Sequence, residues 1–170
     1  MADPTFLPRA VALASTAHSG QLDKAGEPYI LHPLRVMLRF ESDILRAVCV
    51  LHDVVEDTKV TLEQIRSEFG AVVAGAVDAM SRRAGESYDD FITRCSQNEL
   101  ALLGKIADLE DNLDPRRIPR QLRTEADDRR DDKYRRALER LREVTFDLAA
   151  PSPQMAEWLL TSPTSRSEHA

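Results

Sequence analysis

Between Pro8 and Val144 the apolar residues of this chain recur at intervals of three and four, a period that points to packed helices rather than sheets. Ala10, Val11, Ala14 and Ala17 form the first such stripe, with Pro8 suited to a first turn. A loop, "QLDKAGEPYI", follows, and then a short helix after Pro33 through Leu34, Met37 and Leu38. From Asp43 the residues Ile44, Ala47, Val48, Leu51 and Val55 make one continuous stripe. Thr61 with Gln64 reads as a capping box for "LEQIRSEF", and Gly70 as its stop. The segment "AVVAGAVDAM" suits strand or helix locally, and it is read as helix because no second strand is visible to pair with it. Further helices are expected at about Tyr88–Ser96 and Glu99–Leu113, after which "DPRRIP" breaks the chain. Tyr134, Ala137 or Leu138, Leu141, Val144 and Leu148 stripe an otherwise charged segment, a long surface helix ending near Pro151. "MAEWLL" reads as a last turn that docks Trp158, and "TSPTSRSEHA" as a disordered tail. The expected fold is therefore all-α, a single-domain helical bundle over 1–150 with a turn and tail over 151–170. Aromatic residues are only 5% of the chain, so Leu, Val, Ile and Ala must build most of its core.

One stripe carries an anomaly. In "CVLHDVVEDT" the apolar run contains His52 and Asp53, then Glu56 and Asp57 four residues later. On a continuous helix each of the first pair would lie beneath one of the second. Leu51 and Val55 would occupy the adjacent apolar face, leaving the four polar groups at the edge of the core. Three acids within five residues repel one another unless a cation sits among them.

Two other stretches add matching groups. "GEPYILHP" sets His32 immediately before Pro33. In "KIADLEDN" the residues Lys105, Asp108 and Asn112 share a helical face, while Leu103, Ile106, Leu109 and Leu113 supply packing. A carboxylate amid such packing is costly to bury without a partner. His32, His52, Asp53 and Asp108 together offer two imidazoles and two carboxylates. That mixed set suits a first-row divalent ion such as manganese, iron or zinc. The absence of Cys ligands argues against a closed structural zinc site.

The motifs "H…GEPYI-HP", "LLHD-VVEDT", "FG" and "K-AD---N", in this order from about His18 to Asn112, resemble the hydrolase domain of RelA/SpoT homologues, especially the stand-alone small alarmone hydrolases of the HD superfamily. The first and second are matched here by "GEPYILHP" and "VLHDVVEDT". The resemblance implies an HD-type all-helical fold and a manganese ion, with iron or zinc as alternatives, held by His32, His52, Asp53 and Asp108. It implies that Glu56 and Asp57 serve the chemistry, which removes pyrophosphate from the ribose 3′ position of an alarmone nucleotide. It also implies that Asn112 helps hold the nucleotide and that Arg130 and Tyr134 contact phosphates. Lys24 and Lys105 join Arg130 as candidate phosphate contacts, Lys105 because it shares a face with Asp108.

The chain also departs from that pattern. Where the family often carries an Arg near the base, Asp23 stands here with Lys24 after it, and the common "KLADRLHN" becomes "KIADLEDN", with Leu109 and Asp111. An acid cannot stack on a purine as Arg does. It can accept from an exocyclic amine, so adenine-based alarmones become as plausible a substrate as guanine-based ones, with a relaxed or adenine-leaning preference.

Other classes are less compatible with the composition. The net charge of −6 offers no basic surface to wrap nucleic acid, and it makes an anionic substrate awkward unless a cation or a local basic cluster offsets the field. No apolar run reaches the roughly 18 residues of a membrane span. The N-terminus lacks the basic start and apolar run of a secretory signal. Cys49 and Cys95, far apart and outside any C-x-x-C spacing, read as reduced buried thiols of a cytoplasmic protein. The expected partner is a small nucleotide, with neither nucleic acid nor membrane, and oligomeric state is left open. The alternatives are another HD-superfamily nucleotide phosphohydrolase and a non-catalytic nucleotide-binding domain. A synthetase is not expected, because a second catalytic domain does not fit in this length.

Overall fold

The computed structural model describes residues 3–146 and Pro153. The expected last turn with Trp158, the tail, and the end of the long stripe at Leu148 lie outside the described residues. The described chain forms helices α1 (Phe6–Ala17), α2 (Leu31–Met37), α3 (Asp43–Leu51), α4 (Val54–Asp57), α5 (Leu62–Met80), α6 (Tyr88–Ser96), α7 (Glu99–Asn112) and α8 (Glu125–Phe146), with a 3₁₀ turn at Arg120–Leu122. Among the described residues the strand-like pairing is a single antiparallel bridge between Leu22 and Pro28, so the chain is all-α as the apolar period requires.

Local chemistry sets the helix ends. Ser87 and Asn98 cap α6 and α7, accepting from the N–H groups of Asp90 and Ala101. Thr61 accepts the Gln64 N–H at 3.2 Å, but the Gln64 side chain donates to Glu68 instead, so only half of the capping box forms. Gly70 ends the first segment of α5 as expected: its φ of 86° and ψ of 170° are non-helical, and "AVVAGAVDAM" forms a second helical segment beyond the kink.

The continuous helix expected through residues 44–57 breaks. α3 ends at Leu51 and α4 is a single turn beginning at Val54. The His52 Nδ1 lies 2.7 Å from the Cys49 carbonyl, the acceptor that the Asp53 N–H would need to extend α3. The imidazole thus competes with the backbone and closes the helix.

α3 and α7 lie at the centre. α3 packs on α1, α2, α5 and α7, and α7 also meets α2, α5, α6 and α8. Leu45, Leu51, Leu102, Leu103, Ile106 and Leu109 are fully buried between them. Truncating one of these leucines to alanine costs about 2–5 kcal/mol in such a core. Gly104 permits the close approach of α7 to α5, since a Cβ there would stand 2.8 Å from the Met80 sulfur. α2 begins at Leu31, earlier than expected, so His32 and Pro33 occupy its first turn, where proline's missing N–H is not needed. Because α2 lies against both α3 and α7, the His32 ring is held between the end of α3 and the middle of α7. Both cysteines are free and buried. No helix among the described residues is long and apolar enough to cross a membrane.

Candidate metal centre and active site

Three helices converge at one point. His32 comes from α2, His52 and Asp53 from the break after α3, and Asp108 from α7. Ligand atoms of His32, His52 and Asp53 lie within 4.8 Å of one another. The Asp108 Oδ1 stands 3.1 Å from the His32 Nε2 and 3.6 Å from the His52 Nε2. The Asp53 Oδ2 stands 3.7 Å and 3.0 Å from the same two nitrogens. Both histidines and Asp108 are buried.

Hydrogen bonds orient both imidazoles. A carbonyl can only accept, so the His52 Nδ1 must donate to Cys49, and its Nε2 faces the Asp53 and Asp108 carboxylates, which outweigh burial and raise the ring's pKa; a cation among these groups would take the place of the Nε2 proton. The His32 Nδ1 lies 2.7 Å from the Asp111 carboxylate and 3.1 Å from the Arg117 guanidinium, and its Nε2 points inward toward Asp108 and Asp53. Two imidazole nitrogens and two carboxylates thus face a common point, and the buried His52 Nε2 makes no well-aligned hydrogen bond within the protein. That donor set fits a divalent cation, with the outer nitrogens oriented by backbone and carboxylate as metal-binding histidines usually are.

Neighbouring groups hold the ligands in place. The Tyr29 hydroxyl donates to the Asp53 Oδ2. Lys105 donates to the Asp108 Oδ2 at 2.7 Å and the Asn112 amide to its Oδ1 at 2.6 Å. Burial works against the charge of Asp108, but Lys105 and then the imidazoles outweigh it, holding the carboxyl well below the usual range. For Lys105 burial is likewise outweighed, here by Asp108, and its pKa is raised. Asp111 accepts from Arg35 at 2.8 and 3.0 Å as well as from His32; these partners overcome burial and hold its pKa at about 2.

The two acids of α4 have different surroundings. The Glu56 Oε2 accepts the Arg82 N–H at 3.0 Å. Asp57 has its pKa raised, first by partial burial and then by Asp53 and Glu56, with His18 and Tyr29 acting in the opposite direction.

A cavity of about 270 Å³ opens on one side of the centre, lined by Asp23, Lys24, Tyr29, Asn112, Arg117 and Arg130 among others. It gathers three of the five residues expected to bind substrate, Lys24, Asn112 and Arg130. Lys24 is ion-paired with Asp127, and Arg130 meets Asp131 at 2.9 Å and Asp127 at 3.5 Å. Tyr134 lies outside that lining. Its ring stacks on Tyr88 with centroids 6.2 Å apart, and the Arg130 guanidinium sits 5.7 Å from its centroid. Asp23 is partly committed to its own loop, because its Oδ1 accepts the Ala25 and Glu27 N–H groups at 2.8 and 3.0 Å. Leu109, a departure from the resembled pattern, faces the core.

Sequence reasoning missed Tyr29, Asp111 and Arg117. Arg117 donates to the Asn112 Oδ1 at 2.8 Å and stands 3.3 Å from the Asp111 Oδ2. A signal for Asp111 was present: it follows Asp108 by three residues, just as its partner Arg35 follows His32. Nothing local marks Arg117, which lies in an irregular segment.

The HD domain family model matches residues 10–98. A guanosine-3′,5′-bis(diphosphate) 3′-pyrophosphohydrolase of Haemophilus influenzae is 45% identical over 75 residues, which is 41% of this chain and 11% of that protein. A probable GTP pyrophosphokinase of Mycobacterium leprae is 34% identical over 125 residues, 66% of this chain and 16% of that protein. The chain thus spans less than a fifth of the length of these relatives. A solved structure described as a metazoan ortholog of SpoT that hydrolyzes ppGpp shares the fold, with a TM-score of 0.66, 22% identity and 94% of each chain covered.

Proposed function

This chain belongs to the HD domain family, and from that premise we propose that it is a metal-dependent hydrolase removing the 3′-pyrophosphate of an alarmone nucleotide, (p)ppGpp or (p)ppApp. The observation that carries the reading is the convergence of His32, His52, Asp53 and Asp108, with both inner nitrogens turned toward the two carboxylates. The name of the Haemophilus relative supports the substrate class. Manganese is the proposed ion, with iron and zinc as alternatives, since all three accept nitrogen and oxygen ligands. When bound, such an ion supplies Lewis acidity toward water and phosphoryl oxygen. We assign the hydrolase domain to residues 1–150.

Hydrolysis breaks the bond between phosphorus and the 3′ oxygen. Water delivers hydroxyl to phosphorus, and the 3′ oxygen leaves carrying a proton. The site must therefore take up one proton and deliver one. Asp57 is the proposed carrier, because its raised pKa brings it nearer the working pH, whereas Glu56 is anchored to the Arg82 N–H. Tyr29 keeps Asp53 oriented, and Asn112, braced by Arg117, stands beside the cavity that takes the nucleoside. Lys24, Lys105, Arg130 and Tyr134 are the proposed contacts along the phosphates.

The test is pyrophosphate release by protein loaded with manganese, iron or zinc and by metal-stripped protein, using guanine and adenine alarmones with ordinary nucleoside mono- and triphosphates as controls. Release from a 3′-pyrophosphorylated nucleotide by loaded protein alone is expected. Turnover of the ordinary nucleotides without it would move the chain to a different phosphohydrolase activity, and no turnover at all would make it a binding domain.

A further inference from the structure

On a chain of net charge −6, phosphate recognition depends on where cations remain uncancelled. Most cations around the metal centre are matched. Asp108 neutralises Lys105, Asp131 neutralises Arg130, Asp127 holds Lys24, and Asp111 lies beside Arg117. The α6–α8 flank differs. The Arg82 guanidinium donates to the Glu86 carbonyl at 3.0 and 2.7 Å, which directs it without cancelling its charge. Lys133 and Arg136, one turn apart on α8, have no carboxylate partner among the described residues.

Lys133 lies 4.3 Å from the Tyr88 ring centroid and 5.5 Å from that of Tyr134, over the stacked pair. Burial, with Arg82, Lys105 and Arg130 nearby, holds its ammonium pKa below the ordinary lysine value. Tyr88 joins two places. Its ring stacks on Tyr134, which carries Arg130 of the loop cavity on its own ring, and it lines a cavity of about 430 Å³ that also takes in Ser87, Lys133, Arg136 and Arg140, with Asp89 as the acid in the lining; its buried hydroxyl has no hydrogen-bond partner. The cations here repel one another, and a multiply charged anion relieves that repulsion.

We infer that Lys133, with Arg82 and Arg136, binds the pyrophosphoryl group on the α6–α8 flank of the metal centre and holds it as it passes from the 3′ oxygen to water, retaining it as the pyrophosphate product. The identity of the anion rests on the alarmone-hydrolase reading; the presence of an anion site here rests on the charges and the cavity.

The experiment is equilibrium binding of inorganic pyrophosphate to the full chain, metal-loaded and metal-stripped, by calorimetry. Lys133→Met keeps the aliphatic stem over the tyrosines and removes the charge. It should weaken pyrophosphate binding at least tenfold, about 1.4 kcal/mol, with thermal unfolding showing that the fold is kept. Lys133→Arg should restore most of the affinity. Arg116→Met, which removes a cation paired with Asp114 at 2.6 Å, should leave binding unchanged. Equal affinity in Lys133→Met and the parent, or no pyrophosphate binding by the parent, overturns the inference. If pyrophosphate binds through Lys133 yet no 3′-pyrophosphorylated nucleotide is hydrolysed, the anion site stands and the activity assignment fails. If hydrolysis proceeds while binding ignores Lys133, the reverse holds.

Discussion

The cavity beside the metal centre and the cavity between α6 and α8 treat charge differently. In the smaller one, at the α1–α2 loop, Lys24, Arg117 and Arg130 each have a carboxylate close by. In the larger one, between α6 and α8, Lys133 and Arg136 have none among the described residues. A cavity whose cations are already paired keeps its shape without a ligand, and a phosphate reaching Lys24 or Arg130 there must compete with Asp127 and Asp131. A cavity with bare cations is under repulsion that an anion removes. The two acids of α4 divide in the same way. Asp57 responds to Tyr29 and His18 beside the loop, and Glu56 is tied to Arg82 on the α6–α8 side.

The largest expected effect breaks the metal centre itself. His52→Ala and Asp108→Ala should each abolish ion binding, read as metal content, and turnover, while the helical circular-dichroism signal largely survives. The two should differ in stability. Asp108→Ala leaves Lys105 buried and unpaired, a loss on the order of 3–5 kcal/mol, so its unfolding midpoint should fall further than that of His52→Ala. Full activity in metal-stripped Asp108→Ala protein would remove the metal assignment.

The next effect separates the two acids. Asp57→Asn should retain the ion and lower kcat by about 10²-fold or more, the scale of general acid–base assistance. Glu56→Gln should cost less. In the parent, base catalysis by Asp57 should give a rate that rises with pH through its raised pKa, a limb that the Asn variant loses. If Glu56→Gln proves the more damaging, the proton carrier belongs to the Arg82 side.

A smaller effect sharpens the reading of the loop cavity. Asp23→Arg should shift relative kcat/KM toward the guanine alarmone by up to about tenfold, about 1.4 kcal/mol. Because that change also removes the loop acceptor, Asp23→Asn is the cleaner companion. It can keep the bonds to Ala25 and Glu27 while losing the charge that faces Arg117 at 3.8 Å. An unchanged base ratio in both variants would show that residue 23 shapes the loop and does not read the base.

The smallest effect concerns the turn that directs Arg82. Glu86 accepts from Arg94 at 2.7 and 2.8 Å and from the Arg83 N–H at 2.9 Å; Arg94 first and that N–H second hold its pKa at about 2 rather than 4.5. A carboxyl depressed on folding adds stability above its unfolded pKa and loses it as pH falls through the folded value. Glu86→Gln should therefore lower the unfolding midpoint by a few degrees at pH 7, and the gap should close between about pH 4.5 and 2. A gap independent of pH would mean that shape, not charge, holds the turn.

Much of this protein could be read locally. Three- and four-residue spacing marked the helices, and the four ligand candidates stood out because His and Asp interrupt apolar runs, where burial is costly without a partner. Local reading placed the break at Gly70 but failed at one backbone point for a local chemical reason: the His52 ring takes the Cys49 carbonyl and ends α3. What only the tertiary structure decided is which charges cancel. Lys24 meets Asp127 across 103 residues, His32 meets Asp111 across 79, and nothing near Lys133 in sequence distinguishes it from the charged residues around it. Helical periodicity is short-ranged and survives in a string of letters. Neutralisation depends on which side chains come within a few ångströms after the chain has packed, and that separates the loop cavity from the bare cations of the α6–α8 flank.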